Sequence, residues 1–281
     1  MRHDPGPPGL HVRKFGRGSQ TVLLIHGFTD SSDTWSRVIP TLAKHNRVIA
    51  VDLPGFGRAT RNWPQPIIPG YVELLRELIC KQRRKQVTVI GNSLGAVVAL
   101  GLATEYPHLV DRVVLADMPG IDGIPRWWSL IGARHTEALA RLLALPVPPP
   151  LLQQAMGHGF LYVGLRHPRQ DGHDELRKTF HTHYASKSRM LALLPMARQL
   201  FAELPELPVR RMIRELPVPV LLLWGQHDLL TPSKKARSFV NGPTRRVVVI
   251  PDCGHLPQVD CPQEFLDAVL GFLEQQFALA G

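Results

Sequence analysis

The ten residues from Val87 to Ala96, VTVIGNSLGA, constrain the fold more than any other stretch of the chain. The segment opens with β-branched residues, which reads as a buried strand. Gly91 and Gly95 then bracket Ser93, and an apolar segment at helical spacing follows. G-x-S-x-G between a strand and a helix is a turn on a strained backbone that lifts the serine hydroxyl clear of the sheet. It points the N–H of the next residue, Leu94, into the same space. The alternative is an ordinary strand-to-helix turn with Ser93 as a cap.

The same alternation runs on either side. Strands are expected at Leu10–Phe15, Thr21–Ile25, Arg47–Val51, Arg112–Ala116, Pro219–Trp224 and Arg245–Ile250. Helices are expected from Thr34 (capped by Asp33, with Trp35, Val38, Ile39 and Leu42 buried), from Tyr71 to Lys81, Leu94 to Glu105, Thr231 to Val240 and Pro262 to Phe277. Strands alternating with helices imply an α/β fold, a mostly parallel twisted sheet with helices on both faces. Ligands of such sheets sit outside the carboxyl ends of the strands. From about Pro119 to Leu216 the alternation stops, and apolar and basic helical patterns surround a proline block at Pro146–Pro150. The division that follows is a core of residues 1–118 and 217–281 with an inserted helical cap at 119–216.

With 281 residues and 44% hydrophobic content, the chain can bury a large single core. No apolar run is long enough to span a bilayer. The N-terminus is polar and proline-rich, and the expectation is a cytoplasmic protein. Cys80, Cys253 and Cys261 are too few and scattered for a disulfide framework or a zinc site, although Cys253 and Cys261 lie close enough in sequence to meet. The net charge of +10 raises nucleic acid as a partner, but the basic residues are spread out. The densest cluster, Lys81 to Lys85, closes a helix, where cations favour the dipole. No nucleic-acid partner is expected.

A serine hydroxyl needs a base, and the base needs an orienting acid. His255 follows the last strand in Pro251-Asp252-Cys253-Gly254-His255, and Asp228 follows the strand before it. Ser93, Asp228 and His255 occur in the chain order of a serine–acid–histidine triad on this architecture. Asp117 is a rival acid at a strand end. Asp228 is preferred because the cap separates Asp117 from His255 in sequence. An oxyanion hole needs two N–H donors, for which Leu94 and Phe28 are placed. Gly27 allows close backbone approach, and His26 orients that loop.

Four features together, His26-Gly27-Phe28, Asp52-Leu53-Pro54-Gly55-Phe56-Gly57, the Ser93 turn and the Asp228/His255 pair, resemble the α/β-hydrolase fold superfamily over nearly the whole chain. Within it, Gly91–Gly95 and the segments from Glu105 to Gly120 are most similar to capped bacterial esterases and monoacylglycerol-lipase-like serine hydrolases. Serine at position 93 differs from haloalkane dehalogenases and epoxide hydrolases, which carry aspartate there. The C–C bond hydrolases of aromatic degradation are closer, but their oxyanion loop is richer in glycine and proline than Phe28-Thr29-Asp30-Ser31-Ser32. They also carry tryptophan where this chain has Leu256. Ala96 replaces a further glycine of the commonest turn and is small enough to fit.

The resemblance implies hydrolysis of a small-molecule carboxylic ester with an apolar acyl group, through an acyl-enzyme and without cofactor or metal. The alternatives are C–C or thioester hydrolysis and, in another class, a non-catalytic receptor on the same fold. Trp127–Ile131 and Ala138–Leu145, interleaved with Arg126, Arg134 and Arg141, read either as an acyl-binding lid in weak contact with lipid surfaces or as packing of the cap onto the core. His173, His181 and His183 lack an accompanying carboxylate pattern and read as a solvated helix surface. Arg177 and Arg189 are the candidates to meet an anionic substrate.

Overall fold

The computed structural model describes residues 7–82, 86–121, 148–167, 177, 181–184, 186–232, 239 and 244–275. Seven strands form one sheet: β1 (His11–Phe15), β2 (Gln20–Ile25), β3 (Asn46–Asp52), β4 (Val87–Asn92), β5 (Val110–Ala116), β6 (Val220–Gly225) and β7 (Arg245–Ile250). Their spatial order is β1-β3-β2-β4-β5-β6-β7, with β1 antiparallel to β3 and every other pair parallel. The chain steps from β2 outward to β3 and then returns across β2 to β4. This reversal leaves a crevice beyond the carboxyl ends of β2 and β4, where ligands of open parallel sheets sit.

Both faces of the sheet are covered, so the central strands are apolar throughout and do not alternate. Leu23, Ile25, Val89, Val113, Leu222 and Trp224 face one layer, with Tyr71, Leu75, Val97 and Leu100 packed on them. These come from helices α2 (Ile67–Cys80) and α3 (Leu94–Glu105). Val22, Leu24, Ile90, Val114, Leu221 and Leu223 face the other layer, against Trp35, Leu42, Phe265, Val269 and Phe272. That layer holds α1 (Ile39–Leu42) and the last helix, Pro262–Leu273.

Two boundaries differ from expectation. The helix expected from Thr34 is split into a 3-10 turn at Ser32–Trp35 and the short α1. Pro40 lies in the first turn of α1, and a proline inside a continuous helix would remove one N–H and clash with the preceding turn. Ser31, and not Asp33, caps the 3-10 turn by accepting the Asp33 N–H. The second helix begins at Ile67 and not at Tyr71, because Glu203 supplies a cap that the preceding Pro66 lacks.

Between β5 and β6 the described elements are helical: α4 (Pro149–Gly164), α5 (Lys187–Glu203) and α6 (Val209–Glu215). After β7 come α7 (Pro257–Asp260) and α8 (Pro262–Leu273). Among the described residues, no helix is long and apolar enough to cross a membrane. The expected helix at Thr231–Val240 and the segments Trp127–Ile131 and Ala138–Leu145 fall largely or wholly outside the described residues, as do Arg126, Arg134, Arg141 and His173.

Candidate active site

Ser93 joins β4 to α3 with φ 54° and ψ −117°, a conformation that a non-glycine residue adopts at a cost. The fold holds it there. The Ser93 N–H donates to Ala116 O (2.9 Å), and its carbonyl accepts from Ala96 (3.0 Å). The flanking glycines are required by space. A Cβ on Gly91 would lie 2.2 Å from Gly95 O, and one on Gly95 would lie 2.2 Å from Ile25 O. Both obstacles are backbone, so only glycine lets the turn press against β2.

The loop after β2 comes to Ser93 from the other side of the crevice. Gly27 packs against the Ser93 Cβ, and His26 fixes the loop. His26 Nδ1 is 2.7 Å from Gly27 O, and its Nε2 accepts the Leu53 N–H at 3.0 Å. With Nδ1–H donating and Nε2 accepting, both nitrogens are engaged. Burial, opposed by the nearby Asp52 charge, lowers its pKa, so His26 is a neutral spacer. Its ring meets Phe56 edge to face at 5.5 Å.

Asp228 and His255 follow β6 and β7. His255 Nδ1 lies 2.9 Å from Asp228 Oδ2, and both side chains are buried. Asp228 Oδ1 accepts the N–H groups of Leu230 (2.8 Å) and Thr231 (3.0 Å). The Thr231 hydroxyl bonds Asp228 Oδ2 and lies 2.9 Å from the Asp117 carbonyl oxygen. Burial alone would raise the Asp228 carboxyl, but the His255 charge and these hydrogen bonds outweigh it and hold it below the usual range. Asp228 is therefore an anion at neutral pH. The imidazole is held with Nδ1–H toward it, leaving Nε2 to face elsewhere. Asn92 secures the loop by donating to His255 O (3.0 Å).

Ser93, His255, Phe28 and Leu94 line one cavity of about 190 Å³. Its other walls include Pro119, Leu200, Phe201, Leu204, Leu230 and Leu256. Among the described lining residues none is Lys or Arg, and Asp30 is the only carboxylic acid. Burial pushes the Asp30 pKa up to about 7, with one oxygen accepting the Ser31 N–H at 2.8 Å.

Several expectations need correction. Asp117 is not remote from His255: β5 and β6 are neighbours, and carboxylate oxygens of Asp117 and Asp228 and a ring nitrogen of His255 lie within 4.8 Å of one another. Separation in sequence was no guide, because the inserted segment leaves the sheet and returns to the adjacent strand. Arg189 does not reach the Ser93 cavity. It donates to His183 O (2.6 Å) and lines a separate cavity with Trp63 and Tyr184. Arg177 is not among the residues lining the Ser93 cavity either. His183 is buried and faces Asp33 at 3.4 Å; it is not on a solvated surface. Burial would raise Asp33, but bonds from His183 and Arg58 and the charges of Arg58 and Arg13 hold it well below the usual range. Cys253, Asp260 and Cys261 converge, both cysteines being free thiols, and Asp260 is occupied by the N–H groups of Gly254 (2.8 Å), Arg166 (2.9 Å) and His167 (3.2 Å).

Thr231 and Asn92 were missed as site residues. The signal for Thr231 was present, since an aspartate followed three residues later by threonine, with the N–H turned back to the carboxylate, is a capping pattern. Asn92 has no such signal, because its partner lies 163 residues away.

Comparison with known proteins agrees with this fold. The chain is 29% identical, over 94% of its length and 99% of the relative's, to the pimeloyl-[acyl-carrier protein] methyl ester esterase of Aeromonas hydrophila. It is 28% identical to a 2-hydroxy-6-oxo-6-(2'-aminophenyl)hexa-2,4-dienoic acid hydrolase of Metapseudomonas resinovorans, covering 95% of this chain and 89% of that one. A thermophilic esterase from Thermogutta terrifontis superposes with TM-score 0.76 over 96% of this chain and 94% of that one, at 23% identity, a likeness of fold alone. The model of the alpha/beta hydrolase family matches residues 22–268. The family model thus spans the seven-stranded, mostly parallel sheet from β2 to the last helix, and the chain belongs to the alpha/beta hydrolase family.

Proposed function

We propose that the protein is a serine hydrolase that cleaves uncharged carboxylic esters through an acyl-enzyme. The observation that carries this reading is the meeting of Ser93, on its positive-φ turn, with an Asp228-paired His255 in one apolar cavity. His255 Nε2 takes the Ser93 proton as Oγ attacks the ester carbonyl, and Asp228 stabilises the imidazolium that forms. The N–H groups of Phe28 and Leu94 receive the oxyanion, the latter with the help of the α3 N-terminus. His255 then protonates the leaving alcohol, and water, activated by the same imidazole, releases the acid. The chemistry needs no cofactor. The helical segment, residues 119–216, acts as a lid over the core of 1–118 and 217–281. Leu200, Phe201 and Leu204 give this reading its support, because they carry α5 and the turn after it into the cavity wall.

C–C bond hydrolysis is the second reading, favoured by the dienoic acid hydrolase among the relatives. The described cavity wall supports the ester instead, since a dienoate anion would find no guanidinium or ammonium there. The test is hydrolysis of p-nitrophenyl esters from acetate to palmitate by wild type and Ser93→Ala. The expected loss in Ser93→Ala is at least ~10⁴-fold in kcat. Unchanged hydrolysis in that variant overturns the mechanism, and turnover of a dienoate ketone in preference to every ester overturns the substrate class.

A further inference from the structure

Asp117 ends β5, between the strand that carries Ser93 and the strand that precedes Asp228. It is fully buried, has φ 46°, and its N–H donates to Leu223 O at 2.8 Å, so its backbone is fixed between β5 and β6. Aspartate tolerates this left-handed region better than most residues, but the conformation still needs support. Asp117 Oδ1 accepts the Gly225 N–H at 2.9 Å. No donor among the described residues reaches Oδ2, which is sealed from water.

The carboxylates of Asp117 and Asp228 lie within 4.8 Å of each other at their closest oxygens, with His255 equally near. Two anions this close in a dry site repel, and the pair retains a proton. The donors decide which carboxyl holds it. Three N–H groups, from Leu230, Thr231 and His255, and the Thr231 hydroxyl serve Asp228. A single N–H serves Asp117. The proton belongs on Asp117, whose Oδ2 has no donor among the described residues and whose carboxyl stands beside that of Asp228. We propose that Asp117 is carried as a neutral carboxylic acid whose hydroxyl donates to the Asp228 carboxylate, making it a positioning residue for the Asp228–His255 pair. Burial, and then the Asp228 charge, push Asp117 well above the ordinary carboxylate range, in the same direction. Among the described residues, the other titratable groups near it are His255 and the thiols of Cys253 and Cys261. By donating to Asp228, the hydroxyl shares the charge that the imidazole N–H faces.

The inference rests on Ser93, His255 and Asp228 being the catalytic triad, and the test separates the two. Infrared difference spectra at pH 9, where Asp30 is ionised, should show a protonated-carboxyl stretch in wild type that Asp117→Asn removes. The acidic limb of kcat/KM against pH reports the free imidazole. Asparagine keeps a neutral acceptor and donor, so in Asp117→Asn the limb should move by less than ~0.3 unit, whereas loss of an ionised neighbour would lower it by ~1 unit or more. Asp117→Leu removes the donor and should raise the limb by roughly half a unit to one unit. Each profile is repeated in an Asp30→Asn background, so that Asp30 does not contribute. Absence of the infrared band, a limb that falls in Asp117→Asn, or a limb unmoved in folded Asp117→Leu overturns the proposal. Persistence of hydrolysis in Ser93→Ala overturns the triad instead and leaves the infrared band in place.

Discussion

At the scale of the residue, the site joins groups whose chemistry is set by what surrounds them. Asp30 is an example apart from Ser93, Asp228 and His255: it lines the cavity, is almost sealed from water, and is pushed by burial to about 7. Its folded pKa lies above the unfolded value near 4, so the folded state holds the proton more tightly. The stability this contributes is complete below about pH 4 and is lost as pH rises through about 7, amounting to roughly 4 kcal/mol at most. Asp30→Asn, which cannot ionise, should match wild type near pH 4 and melt at a higher temperature at pH 8. Thermal melts at the two pH values check this, and a Tm difference that does not grow with pH refutes it. Ser93, Asp228 and His255 were legible as candidates because nucleophilic chemistry demands those residue types after strands. The Asp117 contact was not legible, because it depends on which strands are neighbours.

At the scale of the element, boundaries depend on contacts that lie far away in sequence. The first turn of α2 has no side-chain cap of its own, since Pro66 occupies that position. Glu203, at the end of α5, accepts the N–H groups of Ile67 (2.8 Å) and Ile68 (2.9 Å). Its carboxylate also meets the positive end of the helix dipole. Gln199 donates to the same carboxylate at 3.0 Å. Glu203→Ala should cost about 1 kcal/mol, within the range measured for lost N-caps, and speed amide exchange at Ile67 and Ile68. Glu203→Gln should keep part of the effect. Unchanged exchange at those two amides in Glu203→Ala shows that the cap carries no energy. The hydrophobic periodicity placed α2 correctly from Tyr71 onward, and the missing four residues begin with the two, Ile67 and Ile68, that a distant carboxylate holds. The Pro40 break is the reverse case: it was visible in the sequence, but the apolar stripe from Trp35 to Leu42 reads across it.

At the scale of the whole molecule, the described helices between β5 and β6 join the sheet layer through apolar packing, Met190, Leu193, Met196 and Leu200 of α5 sharing one cluster with Tyr71 and Ile25, and through polar contacts at their ends. The mostly parallel sheet with helices on both faces was legible because alternation of strands and helices leaves few topologies. The seating of these helices was not, because which apolar faces meet and which single side chains tie their ends depends on contacts far apart in sequence. Besides Glu203, His183 meets Asp33, which also binds Arg13 (2.6 Å) and Arg58 (2.7 Å). On the opposite side Asp260 holds the backbone of Arg166 and His167, just beyond α4, together with Gly254 next to His255. Leu161 and Leu165 pack there on Leu256 and Val259, and the Leu256 N–H donates to Gly164 O at 3.1 Å. One carboxylate thus ties the end of α4 to the loop that carries the imidazole. Removing it frees three N–H groups at once, and the one that is buried, Gly254, costs about 1 kcal/mol or more when left without an acceptor. Asp260→Ala should therefore accelerate hydrogen exchange across 161–167 while β4 and β5 stay protected, and should lower kcat/KM because His255 loses its fixed loop. If exchange in 161–167 is unchanged, the hydrophobic contact of Leu161 and Leu165 alone seats this segment, and Asp260 serves only Gly254.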